Sequence, residues 1–187
     1  MNNPPKVAVL VGSLRKESYN KRLAKAIEML AGDQLAFETV RIDDLPLYNQ
    51  DLDGNYPESW TRLKRAIEAA DAVLVVTPEY NRSVPGVLKN AIDIASRPWG
   101  TNSFAKKPAA VIGASIGAQG ASMAQAHVDN VMLYLDTRLM PQPEVYLKAD
   151  DQTLDMEGNV GNDGTREFLQ SFVDAFVAWI KDSPTAK

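Results

Sequence analysis

Apolar and polar positions along the chain follow two rhythms in turn. The runs "VAVLV" (7–11), "AVLVVT" (72–77) and "AAVIGA" (109–114) are continuously apolar, as expected of strands buried on both faces. "LAFETVRI" (35–42) alternates and predicts a strand nearer a sheet edge, and a further strand is expected within 138–147. Between the strands the spacing turns helical. Leu23, Ile27 and Leu30 mark a helix over 20–31, and Trp60, Leu63, Ile67 and Ala70 another. Pro85 opens a third helix that runs to about Ser96, with Leu88, Ala91, Ile92 and Ala95 on its inner face. Val128, Val131, Met132 and Leu135 define a fourth. The last helix carries a Phe168, Phe172 and Phe176 stripe beside Val173, Val177 and Ile180, expected as core packing.

Strand and helix alternate five times without a linker or an internal repeat, which predicts one α/β domain over 1–187. The expected architecture is a doubly wound, five-stranded parallel sheet with helices on both faces. Such sheets most often run in the order 2-1-3-4-5, with a ligand crevice at the carboxyl ends of strands 1 and 3. That order comes from the class, not from periodicity.

Composition removes several function classes. The net charge of −4 disfavours nucleic-acid binding, which needs a basic face. No apolar run reaches the roughly 18–20 residues that span a bilayer, and "MNNPPK" lacks a hydrophobic signal core, so a cytoplasmic location is expected. The chain has no cysteine, which excludes disulfides, thiolate catalysis and Cys-ligated metal centres. No metal site is expected either. His127 is a lone histidine in a helical pattern, and neither the Asp51/Asp53/Asn55 stretch nor the Asp155/Glu157/Asn159 stretch completes a calcium loop.

Three loops fall at the same end of the expected sheet. "GSLRKESYN" (12–20) passes from a strand to a helix, where unpaired backbone N–H groups and a partial positive charge favour an anion. Ser13, Ser18 and Asn20 add neutral donors and Arg15 a charged one, which suits a phosphate monoester. Helix capping by Ser18 or Asn20 is the simpler alternative, but it leaves Ser13 and Arg15 without a purpose. The loop matches neither G-x-G-x-x-G nor G-x-x-x-x-G-K-[ST]. In "TPEYNRSVPG" (77–86), Pro78 and Pro85 hold Glu79, Tyr80 and Asn81 between two stiff points, suited to the edge of a flat heterocycle or to an ordinary turn. "GASIGAQG" (113–120) places small residues around Ser115, where a backbone can approach a ring system closely.

"GSLRKESYN", "PEYNRSVPGVLKNAID" and "GASIGAQG" together resemble the NADPH-dependent FMN reductase family, and within it the quinone and chromate reductases. The resemblance runs from about Lys6 to the helix near residue 135. It implies a flavodoxin-like fold, bound FMN, NADPH or NADH as donor, and a homodimer or homotetramer. By motif position it implies that Ser13, Arg15, Ser18 and Asn20 hold the FMN phosphate. Pro78, Glu79, Tyr80 and Asn81 would border the isoalloxazine, with Ser115 and Gly117 on its other side. The family often carries a second glycine where this chain has Ala121.

The chain itself offers no obvious redox group, and a flavin would supply one. The implied reaction is a ping-pong, two-electron reduction: hydride passes from the nicotinamide to flavin N5, and a quinone, chromate or another electron-poor small molecule then takes the same face. No side chain need act as a catalytic acid or base. Arg82, beside the ring-binding loop, is a candidate contact for an anionic acceptor or the nicotinamide cofactor's phosphates, or else a solvated surface arginine. Two further functions fit the same fold: a flavodoxin-type electron carrier, and a flavin-free nucleotide-binding regulatory module.

Overall fold

The computed structural model describes residues 3–183. The first two and last four residues of the expected domain, including the start of "MNNPPK", lie outside the described ones.

The strands are β1 (Lys6–Val11), β2 (Ala36–Thr39), β3 (Ala72–Thr77), β4 (Pro108–Ser115), β5 (Arg138–Leu139) and β6 (Val145–Lys148). The helices are α1 (Tyr19–Ala31), α2 (Glu58–Glu68), α3 (Gly86–Ala95), α4 (Ser122–Tyr134) and α5 (Asp163–Lys181). All strand pairs are parallel, and the sheet runs β2-β1-β3-β4-β5, with β6 also on β4. The expected order 2-1-3-4-5 is therefore present.

One correction concerns the fifth position. It holds two short segments: β5 pairs with the start of β4 at Pro108 and Ala109, and β6 with its end from Ile112 to Ser115. The sequence between them is "MPQPE", and proline has no N–H to give to a ladder.

β3 is buried at every residue, and β1 at every residue after Lys6. Their side chains alternate between two cores. Val7, Val9, Val11, Leu74 and Val76 pack under α1 and α5, while Ala8, Leu10, Val73 and Val75 pack under α2, α3 and α4. Full burial on both faces is why these strands read as unbroken apolar runs. β2 lies at the edge, and its residues are only partly buried or exposed.

The last helix supplies a second correction. Phe172 and Phe176 are fully buried, with ring centroids 6.0 Å apart, but Phe168 is 40% exposed. Two steps of four residues rotate about 80° around a helix of 3.6 residues per turn, so the Phe stripe drifts off the core. Leu169, with no solvent exposure, occupies the inner face in its place.

Candidate functional site

The three loops are fastened to one another at the carboxyl end of the sheet. Asn20 lies in the first turn of α1 and is buried. Its amide donates to the carbonyl of Ala114 and accepts from the N–H of Ala114, both at 2.9 Å. This pins the 12–20 loop to the end of β4. Glu79 crosses in the other direction, its Oε2 accepting the backbone N–H groups of Met123 (3.0 Å) and Ala124 (3.2 Å) at the start of α4. Gly12 faces Pro78 and Leu88 so closely that a Cβ there would lie 3.0 Å from Leu88 and 3.3 Å from Pro78.

Within the first loop, Ser18 is the N-cap of α1 and its hydroxyl accepts the Asn20 N–H at 3.2 Å. That leaves the Ser18 O–H free to donate. Ser13 is 5% exposed, and its hydroxyl has no partner among the described residues. Nor do the backbone N–H groups from Ser13 to Tyr19 bond to any described residue. A row of unspent donors leading into a helix N-terminus is a cradle for an oxyanion. Arg15 is exposed, its Nη2 donates to the Glu17 carbonyl at 2.6 Å, and its guanidinium lies over the Tyr19 ring.

The second loop is a tight reversal. Tyr80 and Ser83 exchange both backbone hydrogen bonds (3.1 and 3.0 Å), and Asn81 and Arg82 between them have φ of 51° and 61°. Two central residues with positive φ make the two-residue turn that matches strand twist, and asparagine is among the side chains that tolerate it best. Tyr80 is 50% exposed, and Asn81 and Arg82 point to solvent. Ser83 Oγ sits 3.0 Å from His127 Nδ1 on α4, which gives the lone histidine a structural partner.

The third loop is shaped by close approach. Gly120 has φ of 55°, and a Cβ there would lie 2.3 Å from the Tyr146 carbonyl carbon. Ala121, the residue departing from the family pattern, also adopts the left-handed region, at φ 67° and ψ 26°. Gln125, 2% exposed, donates to the carbonyls of Gly120 (3.2 Å) and Val145 (3.1 Å) and so ties this loop to β6. Ser115 Oγ accepts the Gly117 N–H at 3.1 Å, and a side chain at Gly117 would meet only that hydroxyl, at 3.5 Å.

A separate groove of about 590 Å³ runs between α1 and β2, opening beside Ser13 and Leu14 with Lys21, Lys25 and Phe37 along it. None of Pro78, Tyr80, Ser115 or Gly117 lines it, so it lies alongside the crevice rather than in it. No group of three or more His, Cys, Asp or Glu side chains is placed to hold a metal among the described residues. Nor is any described helix long and apolar enough to cross a membrane. The Asp155 carboxylate is occupied by the N–H groups of Glu157 and Asn159 and by the Asn159 amide.

Sequence reading missed the fastening roles of Glu79 and Gln125, and the cluster of Tyr19, Arg22 and Asp151 beside the first loop. Tyr19 and Arg22, three apart on α1, were the only available signal for that cluster.

The model of the NADPH-dependent FMN reductase family matches residues 5–152. A 2-hydroxy-1,4-benzoquinone reductase from a Burkholderia species is 51% identical over 177 residues, which is 95% of this chain and 97% of that protein. A quinone reductase from Pseudomonas putida is 51% identical over 176 residues, 94% of each chain. Among solved structures, FerB, a flavoenzyme NAD(P)H:(acceptor) oxidoreductase from Paracoccus denitrificans, superimposes with a TM-score of 0.92. It is 51% identical and covers 96% of this chain and 98% of its own.

Proposed function

The chain belongs to the NADPH-dependent FMN reductase family, and from that premise we propose that it is an FMN-dependent NAD(P)H oxidoreductase that reduces quinones. Membership favours an enzyme over the electron carrier and over the flavin-free module. The observation that carries the reading is the row of free backbone donors from Ser13 to Tyr19 beside the Ser13 hydroxyl, which has no partner among the described residues. It suits the terminal phosphate of FMN, a monoester whose oxygens need several donors and no metal.

In this reading one FMN-binding domain extends over 1–187. Ser13, Arg15 and Ser18 bind the phosphate, while Asn20 holds their loop against β4. Pro78, Glu79, Tyr80 and Asn81 border the isoalloxazine on one side and Ser115 and Gly117 on the other. Glu79 does so by fixing the Tyr80–Ser83 turn to α4. FMN, when bound, accepts hydride from NADPH or NADH and passes two electrons to the acceptor. The protein's part is to hold the flavin in place and leave one face open. Arg82, at the exposed tip of its turn, meets an anionic acceptor or the phosphates of the nicotinamide cofactor. Chromate falls within the same acceptor class.

The assembly in this reading is a homodimer or homotetramer in the cytoplasm. Trp99 (79% exposed) and Tyr134 (71% exposed) line one groove with Arg97 and Leu135, an apolar area suited to a second copy.

The test is an anaerobic titration of the purified protein with NADPH, followed by absorbance, and then addition of benzoquinone or chromate. Bleaching near 450 nm, roughly the flavin band, followed by recovery on adding the acceptor is expected. A colourless protein that fails to quench added FMN would overturn the reading. Arg15→Ala should weaken FMN retention.

A further inference from the structure

The segment after β6 packs against α1 beside the phosphate loop through an ordered relay of side chains. Leu154 and Val160 pair across it and are buried in the α1/α5 core. Asp150 caps the turn by accepting from the N–H groups of Gln152 (3.0 Å) and Thr153 (2.7 Å). Arg22 of α1, 7% exposed, reaches into this segment with Nη1 on the Asp151 carboxylate at 2.6 Å and on the Leu154 carbonyl at 2.9 Å. The Tyr19 hydroxyl donates to the same Asp151 oxygen at 3.1 Å. Both Arg22 and Arg15 lie over the Tyr19 ring, at 4.6 and 5.6 Å from its centroid.

We propose that Tyr19, anchored through Asp151 to the 148–164 segment, is a positioning residue that holds Arg15 ready for the FMN phosphate. The proposal rests on the assignment of that phosphate to the 12–20 loop. Arg15 is long and exposed, and it would lose rotamer freedom on meeting an anion. Constraint by the Glu17 carbonyl and the Tyr19 ring meets part of that loss before binding. Tyr19 has no free rotor of its own once its hydroxyl sits on Asp151. Asp151 in turn is oriented by a buried arginine. The 148–164 segment thereby acts on flavin affinity without touching the flavin.

A merely structural staple would affect all ligands of the crevice alike, whereas the positioning role is specific for the phosphate. The experiment compares FMN with riboflavin, which lacks it, by fluorescence quenching on the flavin-stripped full-length chain. Tyr19→Leu should weaken FMN about three- to fivefold, as expected for loss of an exposed cation–π contact, and leave riboflavin unchanged. Tyr19→Phe, which keeps the ring, should recover most of that loss. Asp151→Asn, at an exposed side chain that leaves the core untouched, should produce a smaller loss that is again selective for FMN. Equal weakening of both ligands in Tyr19→Leu, or no effect of Asp151→Asn on FMN, would overturn the proposal. Arg15→Ala separates the two levels. If it weakens FMN and riboflavin alike, the phosphate assignment itself falls. If Arg15→Ala is FMN-selective and Tyr19→Leu is not, only the positioning role falls.

Discussion

Asn20 and Ala114 are joined through both ends of one amide, donor to carbonyl and carbonyl to N–H, each at 2.9 Å, in a buried site. This pair sets the distance between the 12–20 loop and the end of β4. Asn20→Ala would leave the N–H and carbonyl of Ala114 without partners where water does not reach. The expected cost is roughly 2–4 kcal/mol, a fall of roughly 5–15 °C in Tm. Asn20→Asp should be no better, because a carboxylate can accept the Ala114 N–H but faces its carbonyl with like charge. Thermal unfolding with and without FMN checks both. An Asn20→Ala protein as stable as the wild type would mean that the amide pair contributes little.

The Gly120–Ala121 pair should respond asymmetrically. A methyl at Gly120 would meet the Tyr146 backbone at 2.3 Å and would also carry a left-handed φ, so Gly120→Ala should cost about 3 kcal/mol or more. Ala121 already adopts φ 67°. Replacing it by glycine relieves about 1 kcal/mol of backbone strain and loses about 0.8 kcal/mol of buried methyl. Ala121→Gly should therefore lie within about 1 kcal/mol of the wild type, measured by denaturant unfolding. The backbone at Ala121 is thus in the conformation a glycine would take, and the methyl changes packing more than loop path.

What could be read in advance follows from range. β3, and β1 beyond its first residue, are buried on both faces, so their apolar runs needed no partner to be recognised. Trp60, Leu63 and Ile67 are buried on one face of α2, as their spacing predicts. The order 2-1-3-4-5 was legible only as a property of the class. The contacts that assemble the crevice span 94 residues from Asn20 to Ala114, 45 from Glu79 to Ala124 and 132 from Tyr19 to Asp151. No local pattern encodes such a pairing. Glu79 read as a ring-bordering residue because it sits between two prolines, while its acceptor role depends on where α4 begins. Phe168 misled for a different reason: a four-residue repeat resembles the helical period closely enough to pass for it.

Glu79 joins two of the three loops, and removing it should be felt in both stability and binding. Its carboxylate accepts two N–H groups in the first turn of α4, where negative charge is also favoured by the helix dipole. Glu79→Ala should cost about 1–2 kcal/mol and raise the FMN dissociation constant, because the Tyr80–Ser83 turn and the 113–120 loop lose their common anchor. Glu79→Gln keeps an acceptor oxygen without the charge and should recover about half of the stability. Unfolding curves and fluorescence titration on the same preparations would show whether the two losses move together. FMN affinity unchanged in Glu79→Ala would separate the α4 cap from the crevice.

Asp129, partly buried on α4, should make stability depend on pH in the sense opposite to an ion-paired carboxylate. Burial, and then the neighbouring charge of Glu144, push its pKa up to about 6 from 3.8. The folded protein therefore holds a proton that the unfolded chain releases between those values. The stabilising protonated form is fully present below about pH 4 and is lost as pH rises through 6. Above that, the fold carries a charge it solvates poorly. Asp129→Asn cannot ionise, so it should be more stable than the wild type at pH 8 by on the order of 1 kcal/mol once solvent screening is allowed for, a gain of roughly 2–4 °C in Tm. The difference should shrink toward zero at pH 4. Glu144→Gln, which removes the second cause and leaves the burial, should shift the midpoint of this dependence to lower pH without abolishing it. Tm curves of wild type and Asp129→Asn that run parallel from pH 4 to 8 would show that Asp129 ionises in the fold as readily as in the open chain.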